Sequence, residues 1–235
     1  MQKGNLYLIP TSLGNNDLMQ VLPKPAFYII NEIDYYIVEN IKSAVQFLKL
    51  AGLNKEPQSL NFNVLNVNTK DSEITDYLAP TKKGKNIGLL SEAGVPCIAD
   101  PGAKIVSLAH DSNIRVIPLT GPSSIILALM ASGLNGQNFT FNGYLPIDKK
   151  ERRLRLLELQ KPVLSYNQTQ IFIEAPHRND HLFSDIIDNC KNNIKLCVAI
   201  DLTMPDEYIK TLTVTEWRKN KITIGKHPAI FLLGK

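Results

Sequence analysis

A carboxylate, an imidazole and a guanidinium occur together in the segment Glu174-Ala175-Pro176-His177-Arg178. The segment directly follows an apolar stretch typical of a β-strand, so these groups would stand at a strand end. Groups of this kind can transfer a proton or bind an anion. The same residues also suit an ordinary helix start, with a carboxylate near the positive end of the helix dipole. Both interpretations stay open at this point.

His177 and His181 stand four residues apart on a predicted helix, a spacing that could place two metal ligands on one face. A metal site needs a third ligand and supporting hydrogen bonds, and the sequence indicates neither. Cys97, Cys190 and Cys197 match no zinc-binding spacing either. We therefore expect reduced thiols and no metal.

Two segments rich in small residues, 91–96 and 120–124, each lie between a predicted strand and a predicted helix. In open α/β sheets, ligands bind beyond the carboxyl ends of strands, where small residues allow close approach to the backbone. Ordinary strand-to-helix turns use the same residue types, so this reading stays open as well. The absence of a Gly-x-Gly-x-x-Gly or P-loop pattern argues against nicotinamide dinucleotides and P-loop nucleotides.

The predicted helix at residues 148–159 is strongly basic; after Asp148 at its start, only Glu151 and Glu158 balance five positive charges. Most such faces are simply solvated, but they can also follow the phosphates of a nucleic acid. The net charge of +4 permits a polyanionic partner without requiring one.

Strands and helices alternate in the first part of the chain, which predicts a mostly parallel sheet covered by helices. The predicted strands are 5–9, 35–38, 62–67, 86–90 and 115–119, then 138–144, 170–173, 195–200, 210–214 and 229–233. The predicted helices are 41–51, 71–79, 100–109, 125–132, 148–159 and 179–190, with Asp100 as the N-cap of the third. The later strands outnumber their helices, which predicts an α+β domain with a mixed sheet. We place the boundary between domains 1–119 and 120–235.

The composition is that of a globular protein. Of 235 residues, 44% are hydrophobic and 20% charged, which excludes collagen-like and low-complexity chains. The longest internal apolar run, 125–131, is far shorter than the roughly 18 residues of a membrane span. No secretory signal is recognisable at the start, so we expect a cytoplasmic protein without membrane contact.

Five ordered motifs span the chain: 6–11 with Gly14 and Asn15, 91–96 with 100–102, 118–123, 143–146 with 150–153, and 174–178. This series resembles the tetrapyrrole methylase superfamily of S-adenosylmethionine-dependent methyltransferases. Within it, the chain is most similar to the branch that methylates a cytidine 2′-hydroxyl of small-subunit ribosomal RNA. The resemblance implies an α/β fold of two domains, S-adenosylmethionine in the cleft between them, ribosomal RNA as the partner in rRNA processing, and a homodimer.

The resemblance also implies site residues. Those implied for S-adenosylmethionine are Pro10, Ala93, Gly94, Val95, Ile98, Ser123, Ser124, Phe172, Glu174, Pro228 and Ala229. The candidate catalytic groups, which would accept or orient a proton, are Glu39, Asp100 and His177. Those implied for substrate phosphates are Lys42, Lys149, Lys150, Arg152, Arg153 and Arg178. The sulfonium is an activated methyl donor, so the chemistry needs positioning and proton removal rather than a metal.

The chain departs from the ribosomal RNA branch after the second predicted strand. It reads Glu39-Asn40-Ile41-Lys42 where that branch typically reads Glu-Asp-Thr-Arg. A change from Arg to Lys is not conservative at a site where the guanidinium makes two parallel hydrogen bonds. It also has Glu92 where Asp is usual. Two alternatives therefore remain, a methylase of tetrapyrrole carbon and a protein that binds S-adenosylmethionine without turnover.

Overall fold

The computed structural model describes residues 3–14 and 17–235. The chain divides into two compact units, Met1–Ser123 and Ser124–Lys235. Asn15, which belongs to the first motif, lies outside the described residues. Within the described ranges, no helix combines the length and the apolar character needed to cross a membrane.

A five-stranded parallel sheet forms the centre of the first unit. Its strands β1 to β5 are Leu6–Ile9, Tyr35–Val38, Asn61–Val64, Ile87–Leu90 and Val116–Pro118. Their order is β3-β2-β4-β1-β5, and every pairing is parallel. All four residues of the central strand β4 are buried. A strand covered by helices on both faces is apolar throughout, rather than alternating between apolar and polar residues.

Helices cover both faces of this sheet. The helices α1 to α5 are Leu18–Val21, Lys24–Glu32, Ile41–Leu50, Asp71–Ile74 and Ala103–Asp111. One apolar cluster joins α1, α2 and α3 to Tyr36 and Val38, and another joins α4 and α5 to Ile37. Successive residues of β2 therefore pack on opposite faces, as the two-residue period of a strand requires.

Two predicted helices of the first unit differ from the structure. The helix predicted to end before Pro80 is α-helical only over Asp71–Ile74 and is followed by a 3-10 helix, Thr75–Lys83, which contains Pro80 in its interior. Asp100 is not the N-cap of α5, which begins at Ala103 after Gly102. The Asp100 side chain instead accepts hydrogen bonds from the backbone N–H groups of Cys97 and Gly102.

The second unit contains a mixed five-stranded sheet. Its strands β6 to β10 are Phe139–Tyr144, Thr169–Ile173, Lys195–Ile200, Tyr208–Thr213 and Ala229–Gly234, in the order β6-β7-β10-β8-β9. Within this second sheet, as far as the described residues show, β6–β7 is parallel and the other three pairings are antiparallel. The predicted fold class, with a parallel sheet followed by a mixed sheet, is confirmed.

Helices α6 to α9 complete the second unit; they are Ser124–Ser132, Lys149–Tyr166, Asn179–Asn189 and Val214–Lys219. One face of the sheet packs with α7, α8 and α9 around Trp217, whose indole N–H donates to the Leu196 carbonyl at 2.8 Å. Phe183 meets the Trp217 ring edge to face, with centroids 5.3 Å apart. Helix α6 packs on β9 and β10, and Thr211 Oγ1 donates to the Ser132 carbonyl.

Two element ends in the second unit also differ from prediction. Helix α7 runs through Pro162 to Tyr166, beyond the predicted end at residue 159. The predicted strand 210–214 ends at Thr213, because Thr213 and Glu216 form a capping box that starts α9 at Val214.

Candidate functional site

The carboxyl ends of β2 and β4 meet at a topological switch point. The two strands are neighbours, but the helix after β2 packs on one face of the sheet and the helix after β4 packs on the other. When the helices after two neighbouring strands lie on opposite faces, the loops leading to them diverge and leave a crevice. Ligands bind in such crevices in open α/β sheets. The first unit therefore presents a binding edge at these strand ends.

A small hollow lies at this switch point, and we call it the β2–β4 hollow. It has about 180 Å³ of space free of protein atoms, part of it open to solvent. Its lining includes Val38, Glu39, Leu90, Asp100 and Gly102. The structure thus brings together two of the predicted catalytic residues, Glu39 and Asp100.

The Glu39 carboxyl has two other carboxylates near it, those of Asp100 and Glu92. Burial raises the pKa of the Glu39 carboxyl, and the charges of Asp100 and Glu92 raise it further. The Glu92 backbone N–H donates to Glu39 Oε1 at 3.4 Å and opposes this shift. Ser43 Oγ donates to Glu92 Oε1 at 2.7 Å, so the loop after β4 is tied to the first turn of α3.

We expect Glu39→Gln to increase the free energy of unfolding at pH 7 by less than about 1 kcal/mol, since the site is partly exposed. Because the folded-state pKa of Glu39 is raised, its ionisation costs more in the folded chain than in the unfolded chain. The penalty is absent below the ordinary value of 4.5, grows as pH rises above that value, and is complete above the folded-state pKa. Urea unfolding at several pH values measures it, with exposed Glu73→Gln as the control; lower stability at pH 7 would contradict the prediction.

Asp100 has a structural task in this loop. Its Oδ2 accepts from Cys97 N–H at 2.7 Å and its Oδ1 accepts from Gly102 N–H at 2.7 Å. These bonds hold a turn in which Cys97 and Ala99 adopt positive φ angles of 71° and 63°. Non-glycine residues rarely adopt such angles unless their surroundings enforce them. Both Asp100 oxygens are therefore already engaged by the backbone.

Three of the sequence motifs converge beside β1. Thr11 N–H and Ser91 Oγ both donate to the Gly94 carbonyl, at 2.9 Å each. A Cβ on Gly94 would lie 3.1 Å from the Pro122 carbonyl oxygen, and one on Gly121 would lie 2.2 Å from two ring carbons of Pro10. The loops after β1, β4 and β5 thus pack so closely that neither glycine position has room for a side chain.

Thr11 was not among the predicted site residues, although it adjoins Pro10. The side chain is buried, and Thr11 Oγ1 has no hydrogen-bond partner among the residues that the structure describes. Buried hydroxyl groups without a partner are rare and costly in folded proteins. The sequence signal for it was its place at the end of the first motif, directly after Pro10.

In the second unit, Glu174 and Arg178 form a pair at the end of β7. Glu174 is 5% exposed, and its Oε1 accepts from Arg178 Nε at 2.9 Å and from Ala175 N–H at 2.7 Å. The two side chains therefore form an ion pair. Neighbouring Phe172 is fully buried and stacks on Phe231, so its side chain belongs to the core.

The basic face of α7 is split between the interior and the surface. Arg152 is buried, and its guanidinium contacts Asp185 Oδ2 and donates to the carbonyls of Pro146 and Ile147. Arg155 pairs with Glu158 and also donates to Asn142 Oδ1. The exposed members of the predicted phosphate-binding set are Lys42, Lys149, Lys150 and Arg153.

Other predicted positions are scattered over their own units. In the first unit, Ala93 and Ile98 are exposed and Val95 is half-buried; in the second, Pro228 is exposed and Ala229 is buried. Ser123 and Ser124 are half-buried at the ends of their units. His177 is exposed on the 3-10 helix Pro176–Arg178. Among the described residues, no group of three metal-ligating side chains is found.

A polar cluster at the edge of the second sheet was missed by sequence reasoning. His227 Nδ1 lies 2.6 Å from Asp201 Oδ2. Asn179 Nδ2 donates to the His227 carbonyl at 2.7 Å, while buried Asn179 Oδ1 has no partner within the described chain. The three residues are far apart in sequence, and no motif spacing signals their contact.

Comparison with known proteins identifies the family. The ribosomal RNA small subunit methyltransferase I of Vibrio cholerae is 32% identical over 90% of this chain and 69% of its own length. The protein of the same name from Buchnera aphidicola subsp. Schizaphis graminum is 34% identical over 92% and 73%.

The fold has a matching solved structure. The uroporphyrin-III C-methyltransferase of Thermus thermophilus, solved with S-adenosylhomocysteine, has a TM-score of 0.58 at 16% identity and covers 99% of this chain and 98% of its own. Residues 6–217, which include the converging loops of the first unit and most of the second sheet, match the family of Tetrapyrrole (Corrin/Porphyrin) Methylases. With the predicted resemblance confirmed in this way, the chain is a member of the tetrapyrrole methylase family.

Proposed function

We propose that this protein transfers a methyl group from S-adenosylmethionine to a ribose 2′-hydroxyl of small-subunit ribosomal RNA. The observation that carries the proposal is the sequence similarity to relatives named ribosomal RNA small subunit methyltransferase I, at 32% and 34% identity over about nine-tenths of the chain. The exposed lysines of α7 are compatible with a polyanionic substrate. As a ribosomal RNA enzyme, it would act in the cytoplasm.

The residues present fit the proposed cofactor. At the converging loops of the first unit, Gly94 and Gly121 have no Cβ of their own, and Thr11 Oγ1 has no hydrogen-bond partner among the described residues. We propose that Pro10, Thr11 and residues 93–95 hold S-adenosylmethionine there, together with Ile98 and Ser123. In the second unit we propose the same role for Ser124, Glu174, Pro228 and Ala229, and for the backbone at Phe172. When bound, the cofactor supplies an activated methyl group.

Thr11→Val tests this fit. We expect the free energy of unfolding without cofactor to stay unchanged or to rise by up to about 1 kcal/mol, because a buried hydroxyl without a partner is removed. We expect the affinity for S-adenosylmethionine to fall roughly tenfold in isothermal titration, since one hydrogen bond is lost. Thr215→Val in α9 is the control, and unchanged affinity in Thr11→Val would contradict the assignment.

For the RNA, we propose that Lys42, Lys149, Lys150 and Arg153 contact phosphates, because these side chains are exposed. Arg152 and Arg178 already have carboxylate partners, so we propose that they orient α7 and the loop after β7 rather than bind RNA directly. Phosphate contacts position a nucleic acid without reading its bases. The specific nucleotide would then be selected by other contacts.

Three candidates can help a hydroxyl lose its proton. Glu39 has a raised pKa and lies at the open β2–β4 hollow, and His177 is exposed at the end of β7. Asp100 is less free, because both its oxygens accept backbone hydrogen bonds. We propose that Asp100 holds the loop after β4 in place beside Glu39.

The test is a mass-spectrometric map of modified nucleotides in ribosomal RNA from cells with and without the protein. We expect one 2′-O-methylated nucleotide to disappear on deletion and to return when purified protein and S-adenosylmethionine are added to that RNA. An unchanged map would refute the proposal. Transfer to a porphyrinoid instead of RNA would assign a tetrapyrrole methylase, and cofactor binding without any transfer would assign a protein without turnover.

We also propose a homodimer, by analogy with the family. Sedimentation of the purified protein should then give twice the chain mass of 26.3 kDa. A single species of 26.3 kDa at micromolar concentration would exclude a stable dimer.

A further inference from the structure

We propose that His227, oriented by Asp201, accepts the proton of the hydroxyl group that becomes methylated. The inference rests on the proposed function and adds a catalytic residue to it. Neither residue belongs to a motif of the family resemblance, and their pairing is visible only in the fold.

The sheet of the second unit brings the two residues together. Strand β8 ends at Ile200 and β10 begins at Ala229, and these two residues pair across the antiparallel ladder. Asp201 N–H donates to the Pro228 carbonyl at 3.0 Å and extends this pairing by one bond. His227 is therefore held beside Asp201 and directly precedes Pro228, a position proposed for the cofactor.

The loop that carries His227 is fixed at several points by the start of α8. Asn179 Nδ2 donates to the His227 carbonyl at 2.7 Å. Asp180 accepts from the backbone N–H groups of Ile224 at 2.7 Å and Gly225 at 3.2 Å. A catalytic group must be held in place before the reaction begins, and these bonds provide that support.

The contact between the side chains selects one ring nitrogen for chemistry. His227 Nδ1 lies 2.6 Å from Asp201 Oδ2, and the Asp201 side chain is 17% exposed while that of His227 is 63% exposed. A neutral imidazole that donates its Nδ1–H to a carboxylate keeps its lone pair on Nε2. Nε2 is then the nitrogen that can accept a proton, and the exposed side chain leaves it accessible to a substrate.

Two further observations distinguish this cluster from an ordinary surface ion pair. Asp201 adopts a positive φ of 49° and Thr203 one of 71°, conformations that non-glycine residues adopt at a cost. Asn179, which holds the His227 backbone, is fully buried and keeps Oδ1 without a partner in the described part of the chain.

The proposed step is balanced in atoms and charge. The hydroxyl proton moves to His227 Nε2 while the ribose oxygen forms a bond to the methyl carbon. The carbon–sulfur bond of S-adenosylmethionine breaks, and its electron pair remains on sulfur. The positive charge thereby moves to the imidazolium, which Asp201 stabilises until the proton is released to water.

The first test measures the histidine tautomer by long-range ¹H–¹⁵N correlation spectroscopy on the full-length protein. We expect the His227 ring of the unmodified chain to carry its proton on Nδ1. In Asp201→Asn this preference should be lost, while the signals of the other histidines should not move. A His227 ring protonated on Nε2 in the unmodified chain would overturn the role of Asp201.

The second test measures single-turnover methyl transfer to ribosomal RNA from a deletion strain. We expect His227→Ala to lower the rate about 100-fold at unchanged affinity for RNA and S-adenosylmethionine, with partial rescue by added imidazole. Asp201→Asn should lower the rate about tenfold. The control His110→Ala alters an exposed histidine of α5 and should keep the full rate.

The outcomes separate this inference from the proposed function. Full-rate transfer by His227→Ala would overturn the inference and leave the function intact. No transfer by the unmodified protein would refute the function, and the proton acceptor with it. Circular dichroism of each variant verifies folding, since His227 is largely exposed and its removal should not unfold the chain.

Discussion

Asp185→Ala is expected to lower the free energy of unfolding by about 3–5 kcal/mol, equivalent to a fall in Tm of roughly 6–20 °C. The substitution leaves Arg152 with an uncompensated charge, and both side chains of the pair are at most 10% exposed. Removing one partner of a buried pair is costly, because the remaining charge keeps its desolvation penalty. Urea unfolding monitored by circular dichroism measures the loss.

Two further variants test the cause. Glu158→Ala removes the Arg155–Glu158 pair on the same helix, whose side chains are 41% and 59% exposed, and should cost under about 1 kcal/mol. Replacing both buried partners, Arg152→Met with Asp185→Leu, should recover most of the stability. A loss below about 1 kcal/mol in Asp185→Ala would show that water reaches the pair.

The buried pair also has a consequence for RNA. Arg152 donates to the carbonyls of Pro146 and Ile147, which precede α7 and fix where the helix starts. Lys149 and Lys150 occupy the first turn of that helix. At a temperature where the protein is still folded, Asp185→Ala should therefore weaken RNA binding as well.

Gly121→Ala is expected to reduce the affinity for S-adenosylmethionine at least tenfold and to cost about 1–3 kcal/mol of stability. The added methyl group would lie 2.2 Å from Cβ and Cγ of Pro10. A proline ring cannot rotate away, so the loops after β1 and β5 must separate. These loops belong to the proposed cofactor site, and isothermal titration measures the effect.

Two glycine variants control for the general effect of a methyl group. Gly136→Ala introduces its methyl group into open space and should change neither quantity. Gly4→Ala would bring Cβ within 1.9 Å of the Lys85 carbonyl oxygen at the opposite end of β1, so it should cost stability but spare the affinity of the folded fraction. Unchanged affinity in Gly121→Ala would remove this loop from the site.

Local sequence patterns predicted most of the sheet. Strands such as Leu6–Ile9 and Tyr35–Val38 follow from short apolar runs bounded by polar residues. Helices α1 and α2 are not among the predicted elements. Helix α2 begins at Lys24 between two prolines, and proline is tolerated in the first turn of a helix.

The burial of Arg152 is indicated by its spacing along the helix and not by its residue type. Its charge and its basic neighbours suggested an exposed face. Yet Arg152 precedes Leu156 by four residues and Leu159 by seven, so it lies on the same helical stripe as the core. The need for a partner follows from that position, but Asp185 is supplied by α8, and no local pattern could name it.

The sequence predicted only those parts of the candidate site whose residues come directly after a strand in the chain. Glu39 and residues 91–95 come directly after strands, so their place at a sheet edge could be inferred. The contact of Asp201 with His227 depends on antiparallel pairing between β8 and β10. A residue pattern does not specify which strands become neighbours, and for that reason this contact was missed.

The position of Trp217 gives the protein its own optical reporter. It is the single tryptophan of the chain and is fully buried against Phe183. Its fluorescence must therefore come from an apolar environment, with short-wavelength emission that moves to the red once water enters. Emission at this one site follows the state of the C-terminal half selectively, without any attached dye.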